Sequence, residues 1–600
     1  MAMRTSAVFL KTLKTIRWTP SPWSEEKCIR RESRISLSIS VRSGYAFFVR
    51  QKDKLVSQRW IFLTELRYNE FRRKRRVKAE ERITIRKSAA DVFSVRRCHK
   101  TKRRGFLMNK ASIKFLRALP VLALCCTMSI GCSQPSGGTE PTPEPESSET
   151  PETPEEENVY TIDNIRDYVV GVDEPVELAD GTSAPLINFD NAATTPPMQP
   201  VADAVEQEMK MYGSIGRGFS AKSNHSTDIY METRQRVMKF VNADPDINTC
   251  FYVNSTTDGL NKLASALVES EDDLVLATRM EHHANDLPWR ERCNVIYAEV
   301  DEQGRVIYDD IERLLTENEG KVKYVCVTAA SNVTGHITDV HRVAKMAHAH
   351  GAMIIVDGAQ IVAHRQFSMK GETPEEDIDF FVFSAHKMYS PYGGGAVIGP
   401  WDILDKHMPE FYGGGIVRIV TDSSVSYKFS PESYEAGSPN YAGVVGMSKA
   451  MDVLEQVGFD AIAEHEKKLN TKLIEGLKKF DNVIIYGDYE NLDDRVGVVS
   501  FNFTDINSYI IALNLADKGV ATRRGAFCAH PYVWRLMGIS EEEAKTFENC
   551  IDMKTPGMIR VSFGIYNTEE EVDKFLDILG QLIDESREQT NLTSDAVPGY

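Results

Sequence analysis

Ile354-Ile355-Val356 and Phe381-Val382-Phe383 are unbroken apolar runs, the pattern of strands buried on both faces. Each stops abruptly: Asp357-Gly358-Ala359-Gln360 follows the first and Ser384-Ala385-His386-Lys387 the second. Tyr324-Val325-Cys326-Val327 is a third such run, and the spacing over 340–350 predicts a helix between it and the Ile354 strand. Val201, Val205, Met209 and Tyr212 predict the inward face of another helix. The polar turn Ser255-Thr256-Thr257-Asp258 reads as the cap of a helical stretch over 260–267. Strands alternating with helices predict an α/β fold, a mostly parallel sheet covered by helices. Ligands of such sheets sit beyond the carboxyl ends of the strands, where Asp357 and Ser384 fall.

Charge divides the chain. The first 117 residues carry 32 Lys and Arg against 9 Asp and Glu, whereas the rest carries 39 against 78. Residues 1–107 show no sustained period, and their basic cluster Arg72-Arg73-Lys74-Arg75-Arg76 lies in a region expected to be absent from the mature protein. Met108-Asn109-Lys110 opens a short basic stretch to Arg117, followed by an apolar run from Ala118 to Ile130 and then Gly131-Cys132. That order predicts a lipoprotein-like signal peptide over 108–132, with translation starting at Met108 and Cys132 lipidated. The run is shorter than the about 20 residues a membrane-spanning helix needs. Arg103-Arg104-Gly105-Phe106-Leu107 resembles a twin-arginine export signal, the better reading if the start lies upstream of it. Residues 133–158 are Pro, Glu, Ser and Thr with almost nothing apolar, the composition of an extended, disordered linker. An exported, membrane-anchored bacterial lipoprotein is therefore expected, or a cytoplasmic protein if the signal is unused.

The acidic remainder has no basic stripe, which argues against nucleic-acid binding. The body beyond the linker has five cysteines, Cys250, Cys293, Cys326, Cys528 and Cys550, odd in number and irregularly spaced, so they make neither a disulfide framework nor a zinc motif. Cys326 sits inside a predicted strand and reads as a small core residue.

The tips of the two strands carry the candidate chemistry. A lysine amine can form a Schiff base with an aldehyde, and a lone carboxylate can keep a pyridine nitrogen protonated so that the ring draws electrons. Lys387 and Asp357 are that pair, and pyridoxal 5'-phosphate (PLP) is the cofactor that needs it. Further blocks stand around them: Asn188-Phe189-Asp190-Asn191-Ala192-Ala193, Ser255-Thr256-Thr257-Asp258-Gly259, Met280-Glu281-His282-His283-Ala284-Asn285, Ser331-Asn332-Val333-Thr334-Gly335, Glu435-Ala436-Gly437-Ser438-Pro439-Asn440, and the segments around Cys528 and Arg560. In this order they resemble the class V aminotransferase group of fold-type I PLP enzymes, and within it the cysteine desulfurase and selenocysteine lyase branch. The resemblance runs from about Asn188 to Ile583.

It implies a large PLP-binding domain within 159–435 and a smaller C-terminal α/β domain over 436–590, with a helix near 461–480 and a strand at 496–503. The segment before 188 would pack across both, and the chain would form a homodimer. Lys387 would carry the cofactor and then move protons, Asp357 would pair with the pyridinium, and His282 would stack on the ring. His283 is its structural neighbour. Gln360 and Asn332 would bond the phenolic oxygen, while Thr257, Ser384 and His386 would hold the phosphate. Arg560 and Arg523 would clamp the carboxylate of a small amino-acid substrate. Cys528 would be the nucleophile, its thiolate favoured by Arg523 and Arg524.

The sequence departs from the family at three places. Ser390-Pro391-Tyr392-Gly393 stands where a Gly-Pro-Thr-Gly pattern carries a threonine to the partner subunit's phosphate. Ala526-Phe527 replaces a histidine pair before the cysteine, and an insertion including Ser540–Lys545 and Cys550 lengthens the stretch from Cys528 to Arg560. The expected function is desulfuration of L-cysteine or L-selenocysteine to alanine and an enzyme persulfide. The alternatives are another class V reaction (aminotransferase, epimerase or β-lyase) with Cys528 a bystander, or a non-catalytic lipid-anchored binding protein on the same scaffold.

Overall fold

Seven strands build the central sheet of the computed structural model: β1 (Asn248–Val253), β2 (Leu274–Thr278), β3 (Asn294–Ala298), β4 (Val322–Thr328), β5 (Met353–Asp357), β6 (Phe380–Ser384) and β7 (Gly395–Pro400). Their order is β3-β2-β4-β5-β6-β7-β1. The pairs from β3 to β6 are parallel, and only β7 runs against its two neighbours. The structure describes Val159–Leu592 apart from 408–409, 549 and 551–554, together with the backbone of Cys28–Arg30, Ser36–Arg42, Ala46–Gln51 and Lys54–Leu55. Those four short strands form an antiparallel sheet in chain order, within a unit of their own at Met1–Pro145. The basic cluster Arg72–Arg76, the expected signal peptide with Cys132, and the expected linker lie outside the described residues.

Both faces of the central sheet are covered, as the unbroken apolar runs predict. Ile355, Phe380, Val382 and Val397 pack with Leu260 and Leu263 of helix α3 (Thr256–Leu267). Ile354, Val356, Phe381 and Phe383 point the other way, into a cluster shared with α1 (Gln199–Lys210), α2 (Ala221–Phe240), α4 (Val340–Ala349) and α5 (Tyr441–Val457). Burying such a side chain contributes about 1.5–3 kcal/mol, so alternate residues of each strand hold helices on opposite sides.

The expected face of α1 holds only in part. Val201 and Val205 are buried, but Met209 is exposed and Tyr212 lies beyond the helix. The helix closes at Lys210, where the Met211 N–H bonds back to Glu208 O and Met209 O. Tyr212 rests instead beside Tyr441, ring centres 5.6 Å apart.

A smaller antiparallel sheet follows, ordered β8-β9-β11-β10: β8 (Val483–Tyr486), β9 (Val498–Phe503), β10 (Arg523–Gly525) and β11 (Met558–Ser562). Alternation along β9 has a use here. Val499 and Phe501 pack under α6 (Phe459–Leu477) and α7 (Glu569–Leu592), against Leu469, Leu473 and Phe575. Val498 joins the core of the central sheet, and Ser500 Oγ donates to Val333 O at 2.6 Å. The stretch around residue 188 joins the elements of the C-terminal part. Ile187–Asn188 pairs in parallel with Val520–Ala521, and Asp190 bridges to Ser562 beside Arg560.

Candidate active site

β5 and β6 are neighbours in parallel register, with Asp357 opposite Val382. Asp357 ends β5, is buried, and accepts the Ala359 N–H at 2.9 Å through Oδ1. The next residue is glycine for a steric reason: a Cβ at Gly358 would stand 2.1 Å from the Phe381 ring. Past β6, a single turn at Ala385–Lys387 carries Lys387 into the cavity that Asp357 also lines. Burial pulls the Lys387 amine down to about 8 from 10.5, with Asp357 opposing and Arg560 assisting. The same burial pushes the Asp357 carboxyl up.

The cavity has a volume of about 320 Å³, within the range of sites for small ligands. Eleven residues singled out in the sequence line it, Lys387, Asp357, Gln360, Asn332, His282, Thr257, Ser384, His386, Arg523, Arg560 and Cys528, whereas Arg524 and His283 do not. At one end stands the N-terminus of α3, whose free N–H groups and dipole favour an anion. Ser255 caps that helix, its Oγ accepting the Asp258 N–H at 3.3 Å, so cap and anion cradle are one structure. Ser384 Oγ accepts the Thr256 N–H at 2.6 Å and shares a 2.7 Å hydrogen bond with Thr256 Oγ1. Gly259 lets the helix lie close, because a Cβ there would meet Val382 and Val397 at 2.6 and 2.7 Å. His386 Nδ1 lies 3.2 Å from Thr194 Oγ1, and burial lowers this imidazole to about 4, leaving it neutral.

His282 begins the turn His283–Asn285, and its Nδ1 accepts the Ala284 N–H at 3.0 Å. Burial and the charge of Lys387 pull it down to about 3. It is thus a neutral ring with its proton on Nε2. Glu281 anchors the turn from behind, accepting from Thr278 Oγ1 (2.6 Å), Asn285 Nδ2 (2.7 Å) and the Thr328 N–H (3.1 Å). His283 stacks on His530, rings 4.9 Å apart and 7° from parallel, and its N–H donates to Cys528 O at 2.7 Å.

Arg560 lies buried on β11. Its Nη1 donates to Asn332 O and its Nη2 to Asp190 Oδ1, both at 3.0 Å, and it stands 4.9 Å over the Phe527 ring. Arg523 grips the same aspartate from the half-exposed side, Nη2 to Oδ2 at 2.7 Å and Nε to Oδ1 at 3.3 Å. Arg524 bonds Ser508 Oγ at 3.2 Å and Thr555 O. Asn332 lines the cavity as well, and its Nδ2 donates to Phe527 O at 2.7 Å and so holds the cysteine loop. Cys528 is exposed, in left-handed backbone at φ 57° directly after Phe527 at φ 51°.

Sequence reasoning assigned no part to Asp190, Thr256, Glu281 or Phe527. Asp190, Thr256 and Glu281 stood in quoted blocks, but their partners are remote in sequence and nothing local marked them. The lining fits PLP. Asp357 is a buried carboxylate suited to a cationic ring nitrogen. Gln360 donates to Ala192 O at 2.9 Å and leaves Oε1 buried without a partner among the described residues. The α3 N-terminus with Thr257, Ser384 and His386 suits a phosphate.

Comparison with known proteins agrees with this geometry. The pattern of the family described as Aminotransferase class-V matches residues 187–575. The chain is 35% identical over 409 residues to a cysteine desulfurase of Haloferax volcanii, covering 67% of this chain and 90% of that one. It is 31% identical over 409 residues to a probable cysteine desulfurase of Halalkalibacterium halodurans, covering 66% and 93%. Among solved structures, the apo cysteine desulfurase of Thermococcus onnurineus NA1 superposes with a TM-score of 0.61 at 29% identity, over 70% of this chain and 98% of that one. The cysteine desulfurase CsdA of Escherichia coli, in an S-sulfonic acid form, gives 0.59 at 25% identity over 71% and 99%. The fold is that of fold-type I PLP enzymes, and the chain belongs to the class V aminotransferase family.

Proposed function

We propose that this chain is a PLP-dependent cysteine desulfurase that converts L-cysteine, or L-selenocysteine, to alanine. One observation carries the reading: the exposed thiol of Cys528 lines the same cavity as Lys387, Asp357 and Arg560. PLP, when bound, supplies an electron sink for the bonds around the substrate's α-carbon. The protein would supply the rest. Asp357 would hold the ring nitrogen's charge, His282 would cover the ring as a neutral aromatic, and the α3 N-terminus with Thr257, Ser384 and His386 would hold the phosphate. Gln360 would face the phenolic oxygen. Arg560, with Arg523, would orient the substrate carboxylate. Lys387, with its amine near neutrality, would attach the cofactor and afterwards move protons at the substrate carbons. The Cys528 thiolate would attack the substrate sulfur, and a new S–S bond would form as the Cβ–S bond breaks. The bonding pair stays with carbon and takes a proton, giving alanine and a Cys528 persulfide.

The test is to load the protein with PLP, supply L-cysteine, and measure alanine and sulfide for wild type and Cys528→Ala. Alanine from the wild type alone supports desulfuration through Cys528. Equal output from both would remove Cys528 from the reaction, and PLP uptake without any alanine would turn the search to other amino acids.

Two further parts of this proposal rest on the sequence. Lipidation at Cys132 would tether the enzyme after export, through the Pro- and Glu-rich linker. The enzyme would act as a homodimer, with Ser390–Gly393 in place of the usual cross-subunit phosphate contact.

A further inference from the structure

Asp190, Arg523 and Arg560 come from three distant segments and meet at one edge of the cavity. Asp190 is placed by its bridge to Ser562, two residues beyond Arg560 on β11. Arg560 has its side chain only 3% exposed and a second bond, from Nη1 to Asn332 O at 3.0 Å, while its buried Nε has no partner among the described residues. Arg523 is 49% exposed, and its Nε–Nη2 edge is taken up by the two oxygens of Asp190, at 3.3 and 2.7 Å. A side-by-side contact of that kind is the one a guanidinium offers to any carboxylate.

We propose that Asp190 is an internal stand-in for the substrate carboxylate, a counter-ion that occupies the arginine pair until an amino acid arrives. This inference rests on the cavity being an amino-acid site. Asp190 cancels one of two adjacent positive charges, so the empty clamp attracts simple anions weakly. A ligand whose carboxylate reaches Arg560 has to share or displace Asp190 at Arg523, the more exposed and less constrained of the two arginines. A ligand that also attaches through its amine has the additional binding energy to do so. Asp190 thereby weakens the hold on any ligand's carboxylate, a cost that a ligand also attached through its amine has the binding energy to meet.

The test compares L-alanine with ethylamine, which has the amine but no carboxylate, titrated into the PLP-loaded full chain and followed by cofactor absorbance. Asp190→Asn keeps the shape and removes the charge. It should tighten L-alanine by about three- to tenfold, the effect of one partly exposed charge, and leave ethylamine unchanged. Asp190→Glu, which retains the charge, should stay within about twofold of wild type for both and serves if the asparagine variant fails to fold. Weaker L-alanine binding in Asp190→Asn, or equal shifts for both ligands, would make Asp190 a structural support and overturn the proposal. If wild type takes up PLP but responds to neither ligand, the amino-acid reading of the cavity falls and takes this inference with it.

Discussion

The side chain of Asn332 donates to the carbonyl of Phe527 at 2.7 Å, tying the loop after β4 to the residue before Cys528. The tie matters because Phe527 and Cys528 both lie in left-handed backbone, φ 51° and 57°. That conformation costs a residue with a Cβ on the order of 1–2 kcal/mol. Asn332, the His283 N–H on Cys528 O, and the Phe527 ring under Arg560 together hold the strained turn. Asn332→Ala should therefore loosen the thiol's position without emptying the cofactor site. We expect a loss of alanine formation of about tenfold or more, given how steeply rate depends on alignment, with PLP absorbance retained. Unchanged turnover would show that the loop needs no such tie.

Lys387 should give cofactor loading an unusual pH profile. Burial favours the neutral amine and lowers it to about 8, so the reactive form grows as pH rises through 8. The rate of PLP attachment to the cofactor-free protein should climb between pH 7 and 9 and then level off. The unfolded chain keeps the lysine proton up to about 10.5, so this group also makes stability rise with pH between about 8 and 10.5. A loading rate still climbing steeply past pH 10 would contradict the lowered amine.

Gly259→Ala tests how closely α3 must approach the sheet. On an open helix surface this change stabilises by about 1 kcal/mol. Here the added Cβ would meet Val382 and Val397 at 2.6 and 2.7 Å. Overpacking of that kind costs about 1–3 kcal/mol and would push the helix N-terminus away from Ser384. Lower thermal stability with weaker PLP retention is expected. A stabilised protein would show that the helix has room to spare.

Glu466 should be a stability residue and not a site residue. It is buried on α6 and bonds His364 Nδ1, with Arg365 Nη1 at 2.8 Å, on the turn that follows Gln360. Glu466→Ala leaves Arg365 without its carboxylate, with only the His364 and Arg495 carbonyls as acceptors, and should cost about 3–5 kcal/mol in denaturant unfolding. A change below about 1 kcal/mol would mean that water replaces the carboxylate.

Much of the site was legible beforehand because its residues are locally marked. Lys387 and Asp357 end apolar runs, the Ser255–Asp258 turn announces a helix cap, and Cys528 and Arg560 stand in recognisable segments. All of them line one cavity. The reach of α1 was misjudged at Met209 and Tyr212, since periodicity reveals a face but not where a neighbour stops covering it. Asn332 was expected to face the cofactor, and its bond to Phe527, nearly two hundred residues away, has no trace in local pattern.

The sequence by itself determined the α/β architecture, because strands buried on both faces must be apolar without interruption and their ends must carry whatever chemistry the sheet presents. It also determined the chemical type of the candidate site, because an isolated amine and an isolated carboxylate at neighbouring strand tips suit few cofactors. Only the tertiary structure decided that Asp190 shares two arginines, that Asn332 and His283 hold the cysteine loop, and that Glu281 anchors the turn of His282. Those contacts join segments far apart in the chain. Their energy depends on distance and burial, and neither is set until the core has packed.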